Sequence, residues 1–349
     1  MAFTETELAA REARLVEGLG RRRADAESLT AGVDDPLGWL GVQRQARSLL
    51  RQAGTNKGWG SRSQGAEAAF DRYVAVLGAV EAEATAALAA AEAGAVAEAR
   101  SRLGLRVAML GKGGAGKTVV SSTLARILAQ RGRKVFAADL DTCPGLAFGL
   151  GLPVDDAGLP PEAVEQGPSG LYGWQLASEL TPDDAVDRFA SVAPDGVRFL
   201  GLGKIGAADK ELARRSVAAV LQILLGFRAP DWDVIADLEA GPTTPFERYH
   251  AFSEDVVLVV GPAWRSAMTA RRLLPMVEGR RLAVVGNRFR DEPDHPGLIP
   301  DIRIPFDPDI TQAEREGLSP IDVCPDSPAV AAIGRLADLL LSRQSPGLR

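Results

Sequence analysis

The run Gly111-Lys112-Gly113-Gly114-Ala115-Gly116-Lys117-Thr118 follows the apolar stretch RVAML at 106–110 and precedes TVVSSTLARILAQRG, which has helical spacing. No other feature constrains the fold as much. Gly111, Gly113, Gly114 and Gly116 let the backbone turn tightly enough for its N–H groups to converge on one anion. The helix that follows adds the partial positive charge of its N-terminus. The spacing G-x-x-x-x-G-K-[ST] between a strand and a helix is that of a phosphate-binding loop. Lys117 is then placed to bridge the β- and γ-phosphates, Thr118 to ligate Mg²⁺, and Ala115 and Val119 to complete the cradle. Lys112 is one lysine more than such a loop needs.

Around the loop, short apolar runs alternate with helical stretches. The strand candidates are 106–110, 134–140, 197–202, 233–238, 255–260 and 281–287, apolar nearly throughout, as strands covered on both faces are. Helical segments at 118–131, 209–226 and 266–277 separate several of them. This predicts an α/β fold, a mostly parallel sheet with helices on both faces, over residues 104–349. The Pro/Gly-rich stretch 152–170 reads as an irregular surface excursion.

Residues 1–103 read as an all-helical domain or arm. Thr4 and Glu7 form a capping box, and Asp35-Pro36 opens a second helix. A third helix is predicted over about 66–101, its stripe formed by Phe70, Val74, Leu77, Ala84, Leu88, Ala91 and Ala95. At 1.5 Å per residue it would be roughly 50 Å long. The segment either packs on itself and the main domain or serves as a docking arm for a partner protein.

Two acidic positions complete the phosphate site. The strand DVIADL ends at Asp237, placed to hold Mg²⁺ through a water, with Gly241 four residues on as a sensor of the γ-phosphate. The stretch AADLDTCP brings Asp139 and Asp141 to the carboxyl edge of the next strand. One orients the attacking water, a role favoured for Asp141, and the other supports Mg²⁺. ATP is favoured over GTP: in Asn287-Arg288-Phe289-Arg290 an arginine stands where a guanine-binding aspartate would be, and Asp291 is one residue late. Asn287 remains available to hydrogen-bond adenine.

The loop, with its lysine at the second position, resembles the deviant Walker A of the MinD/ParA-type ATPases. The resemblance spans about residues 104–345. Within that group ADLDTCPGLAFGLG, DLEAG, GPAWRSAMTARRL and IPFDPDITQAEREGLSP are most like the CooC-type ATPases, which assist nickel insertion into carbon monoxide dehydrogenase. The resemblance implies a homodimer with ATP sandwiched at its interface, Lys112 reaching the nucleotide of the other subunit, and a timed switch. The helical segment 1–103 is not part of that family's basic pattern and reads as the arm through which such a switch would dock a client protein. The C-x-C pair shared by CooC-type proteins has no counterpart in GKIGAADKELARR at 203–215, and Cys143 reads as a packing residue. Two alternatives stand beside the switch: a positioning ATPase acting on DNA or membrane, and a nucleotide-locked scaffold without turnover.

Composition narrows these. A net charge of −6 argues against a dedicated nucleic-acid binder, although Arg271, Arg272, Arg280 and Arg281 form a possible local patch. Two distant cysteines and two histidines offer neither a disulfide scaffold nor a zinc site. The apolar runs, such as 256–260, are strand-sized, and the N-terminus has no signal-like apolar core. The closing stretch AVAAIGRLADLLLSR is expected to seal the core rather than seek a membrane, and the cytoplasm is the default compartment.

Overall fold

The structure, a computed structural model, describes residues 5–53, 64–141, 145–153, 159–171, 174–202, 210–239 and 249–344. The chain divides into two compact units. One comprises Gly104–Leu159, Val186–Ala208 and Asp231–Arg349; the other comprises Met1–Leu103, Pro160–Ala185 and Asp209–Pro230.

The first unit is built on an eight-stranded sheet. Its strands are β1 (Arg106–Gly111), β2 (Lys134–Leu140), β5 (Ser191–Val192), β6 (Arg198–Gly201), β7 (Trp232–Leu238), β8 (Asp255–Val260), β9 (Arg281–Phe289) and β10 (Ile302–Pro305). Their order is β10-β9-β8-β1-β7-β2-β6-β5, with every pairing parallel except the short antiparallel β5–β6 edge. All six strands expected from sequence form. Two further strands lack a clear sequence signal: β5 has only two residues, and β10 mixes charge and proline with its two isoleucines.

Side chains alternate between the faces of each strand. Val107, Met109, Val135, Ala137, Ile235, Val257, Val259, Ala283 and Val285 all point to one face, where they join a single core with helix α5 (Lys117–Gln130) and the helix Pro328–Ser342. That last helix buries Ala329, Ile333, Leu336 and Leu340, so its apolar side closes the core as expected. The helix Trp264–Leu273 contacts β1 and β8. Of the arginines proposed as a basic patch, Arg281 is paired with Asp255, and Arg271 donates to the Pro296 carbonyl and lies over Trp264.

The second unit is mainly helical. Helices α1 (Glu5–Glu27), α2 (Pro36–Ala53) and α3 (Gln64–Ala90) pack together through Leu19, Phe70, Tyr73 and Leu77, and through Val42, Ala46, Val80 and Ala84. Asp35 caps α2 as the sequence suggested, accepting from the N–H groups of Leu37 and Gly38 at 2.9 and 3.0 Å. The capping box at Thr4 and Glu7 involves Thr4, which lies outside the described residues. The single long helix expected over 66–101 is broken: α3 ends at Ala90, Glu92 is extended, and α4 (Ala93–Arg102) follows. The break turns α4 back onto α2, where Ala99 and Val96 reach Leu37 and Leu40, while Ala95 is exposed. From Gly65 to Ala90, α3 is long and apolar enough to span a membrane by composition alone, yet here its Phe70, Leu77 and Ala84 are the core of the helical unit.

The stretch expected to be irregular contains a hairpin, β3 (Val164–Leu171) with β4 (Trp174–Leu176). It belongs to the helical unit, together with α8 (Lys210–Gly226). Helix α1 lies against β3. Gln222 of α8 accepts from the Leu176 N–H at 2.8 Å, and Gln45 of α2 donates to the Gly226 carbonyl at 3.2 Å. The side chain of Leu77 is fully buried at the α1–α3 contact. Leu77→Ala is expected to destabilise the helical unit by about 2–5 kcal/mol, read as an earlier urea transition in the far-ultraviolet signal of the full chain.

Candidate functional site

The glycine-rich loop leaves β1 at the middle of the sheet, where flanking strands run in the same direction and ligands gather at the carboxyl edge. Two glycines there have no substitute. A Cβ on Gly111, whose φ is +153°, would stand 2.5 Å from the Val259 carbonyl oxygen; one on Gly116, φ +88°, would stand 2.2 Å from Asn287 Nδ2. Gly113 and Gly114 are exposed at the tip, and Ala115 is buried. The Ala115 N–H donates to the Lys112 carbonyl at 3.1 Å and closes the turn.

Lys117, in the first turn of α5, is 6% exposed. Its charge acts on Asp237, at the end of β7, which is 1% exposed. Thr118 Oγ1 donates to Asp237 Oδ2 at 2.6 Å. The other carboxylate oxygen, Oδ1, is buried and has no hydrogen-bond partner among the described residues. Asp139 sits directly beside Asp237 on β2. Both of its oxygens serve the backbone of the next loop: Oδ1 accepts from the Asp141 N–H at 2.9 Å, and Oδ2 from Gly145 and Leu146 at 3.1 and 3.0 Å. As placed, Asp139 organises the loop that carries Asp141, which is itself half-buried at the rim.

Burial raises both carboxyls. Asp139 is pushed up to about 7 by desolvation and by the neighbouring Asp237, against three backbone N–H bonds that lower it. Asp237 is pushed up to about 6 by desolvation, against Lys117 and the Thr118 bond that lower it. The oxygen set of Thr118 and Asp237, with its orphaned Oδ1, fits Mg²⁺, a hard cation that takes few protein ligands and completes its shell with phosphate and water. No cluster of three or more His, Cys, Asp or Glu able to hold a metal occurs among the described residues.

On the other side of the loop, the end of β9 supplies Asn287. Its Nδ2 donates to the Ala115 carbonyl at 2.8 Å, so the amide nitrogen read as a base contact braces the loop. A pocket opens beside it, lined by Val119, Asn287, Arg288, Ile304, Pro305 and Ile310 among others. Sequence reasoning missed Arg288 as a site residue, although it stands next to Asn287. Lys112 is half-buried, and its Nζ donates to the Gly113 carbonyl of its own loop at 3.1 Å. Gly241 and Cys143 lie outside the described residues.

A parallel sheet with a glycine-rich loop, a buried lysine and a hydroxyl–carboxylate pair at its carboxyl edge defines a P-loop nucleotide-binding protein. A profile of the CobQ/CobB/MinD/ParA nucleotide binding domain matches residues 107–321, and the chain belongs to that family. It is similar to carbon monoxide dehydrogenase accessory protein CooC of Rhodospirillum rubrum, 28% identical over 242 residues that cover 63% of this chain and 91% of that one. An uncharacterized ATP-binding protein of Methanocaldococcus jannaschii is 26% identical over 258 residues, 68% of this chain and 98% of its own. The ParA family ATPase from Chlorobium tepidum shares the fold, with a TM-score of 0.50 and 18% identity, covering 66% of this chain and 98% of that one. The chain is thus a MinD/ParA-type P-loop protein with a CooC-like core, as its motifs suggested.

The raised carboxyls make stability depend on pH. Their ordinary value is 3.8, and their folded values are about 7 and about 6. Between those limits the folded chain binds more protons than the unfolded one. The stabilisation is therefore complete below 3.8 and is lost as pH rises through about 6 and then about 7. Without nucleotide, the urea midpoint is expected to fall from pH 5 to pH 8, and Asp139→Asn to flatten that fall.

Proposed function

We propose that this protein is an ATP-hydrolysing switch that dimerises around bound nucleotide and assists the assembly, maturation or activation of a partner protein. The observation that carries the reading is the contrast in burial and contacts between the two lysines of one loop. Lys117 is buried against Asp237, beside Thr118, and serves the nucleotide of its own chain. Lys112 stands at the rim, where, among the described residues, it donates to a neutral carbonyl of its own loop. A second copy's phosphates offer it a stronger acceptor.

In this reading the N–H groups of Gly113, Gly114 and Gly116–Val119, with the α5 N-terminus, hold the phosphates of ATP. Thr118 and Asp237 would hold Mg²⁺, which would offset phosphate charge. Asp139 fixes the loop from which Asp141 orients a water. The water oxygen attacks the γ-phosphorus, the bond to the β–γ bridging oxygen breaks, and ADP leaves with added negative charge. Lys117 and Lys112 of the second copy offset that charge where it develops. Gly241 senses the γ-phosphate, and Asn287 also meets the adenine. Support for a client comes from CooC, an accessory protein of carbon monoxide dehydrogenase, and from the helical unit as a docking arm. Neither the buried closing helix nor the tied arginines favour a membrane- or DNA-positioning role.

Size-exclusion chromatography with ADP and then ATP tests the switch. The wild-type chain is expected to dimerise with ATP alone, and Lys112→Ala to stay monomeric while still binding nucleotide. Lys117→Ala is expected to abolish binding, and Asp141→Asn to lower kcat by about 10²–10⁴-fold with dimerisation kept. A wild-type chain that remains monomeric with ATP would sink the proposal.

A further inference from the structure

Among the described residues only two that are not glycine have positive φ, Asp195 and Arg288. Asp195 is of a type that tolerates this region, and its carboxylate is paired with Arg126. Arg288, at φ +62°, is neither small nor a turn former. Such strain persists where the surroundings over-determine it, and here they do. Residue 287 must aim its amide at the Ala115 carbonyl, and residue 288 must turn its side chain back over the same loop. Arg288 Nη1 lies 3.5 Å from the Gly114 carbonyl oxygen, and Nη2 donates to Glu314 of the helix Pro308–Glu316. The side chain also lines the pocket beside the loop.

We infer that Arg288 is a positioning residue: it ties the phosphate loop to the helix Pro308–Glu316 and so sets the affinity for nucleotide. The inference rests on the nucleotide site proposed above. A peptide unit is planar and trans, so its C=O and N–H point in opposite directions. Arg288 and Asn287 take hold of two successive carbonyls, those of Gly114 and Ala115. The first peptide then keeps its N–H on the Lys112 carbonyl, which closes the turn. The second turns the Gly116 N–H away from Asn287, towards the anion side of the loop. A planar guanidinium reaches two acceptors on different elements at once; a lysine ammonium on the same backbone does so poorly. A 3.5 Å contact is at the outer limit of a hydrogen bond, so the effect is several-fold rather than all-or-none.

Arg288→Gly separates affinity from folding, because glycine adopts this φ without strain. Nucleotide-free Arg288→Gly is expected to melt at the wild-type temperature or above it. Its Kd values for ADP and ATP are expected to rise together by roughly five- to twenty-fold, their ratio unchanged. Arg288→Lys keeps the charge and the strain and is expected to show a similar loss. Glu314→Gln is expected to lose less, and the double variant with Arg288→Gly no more than Arg288→Gly alone. Wild-type affinity in Arg288→Gly overturns the inference, as does a drop in affinity that comes with a lower nucleotide-free melting temperature. A wild-type chain that binds neither nucleotide overturns the proposed function as well.

Discussion

Two carboxylates and one ammonium group share a dry edge of the sheet, and the site is organised around keeping them there. Asp237 and Asp139 are neighbours on adjacent parallel strands, and among the described residues Lys117 is the opposite charge that lowers Asp237. The imbalance is absorbed in two ways. Asp139 commits its oxygens to three backbone N–H groups, those of Asp141, Gly145 and Leu146. Asp237 leans on Thr118 and leaves one oxygen without a partner. That residual demand is for a cation, in a place where the sheet edge, a helix N-terminus and a lysine all demand an anion. A magnesium–nucleotide complex carries both. The side chains and backbone at this edge thus suit a cation and an anion together, and the loop glycines hold that geometry.

The parts of the structure legible in the sequence are those dictated locally. The phosphate loop is written in glycines, two of which, Gly111 and Gly116, leave no room for a side chain, and the strands that surround it are continuous apolar runs because both faces are covered. What was not legible depends on partners distant in the chain. Nothing at Ala91 and Glu92 announces the end of α3; the break exists because α4 gains by turning onto Leu37 and Leu40 of α2. The hairpin in 164–176 carries Gly167, Pro168 and Gly170, which argue for a loop in isolation. The sequence reads Asn287 as a base contact and not as a brace for Ala115, since a chain read in order does not show that residues 115 and 287 meet. Arg288 had no sequence signal beyond its neighbour, because a backbone torsion is not spelled by a side chain.

Parallel pairing also explains how the site can gather residues from such separate stretches. β7 and β2 bring the acids to one side of β1, while β8 and β9 bring the glycine contact at Val259 and the Asn287–Arg288 corner to the other. The loop is gripped from one side by charge and from the other by hydrogen bonds to its carbonyls.

The interleaving of the two compact units has a consequence for how the molecule can be dissected or rewired. Their segments alternate along the chain, and the polypeptide crosses between them at 103/104, 159/160, 185/186, 208/209 and 230/231. The helical unit is therefore not a detachable module grafted onto a nucleotide-binding engine: cutting the chain after residue 103 leaves its hairpin and α8 behind. Two of the crossings bracket β6, whose Gly201 is the register partner of Asp139. The strand beside the nucleotide acids is thus tethered at both ends to the helical unit.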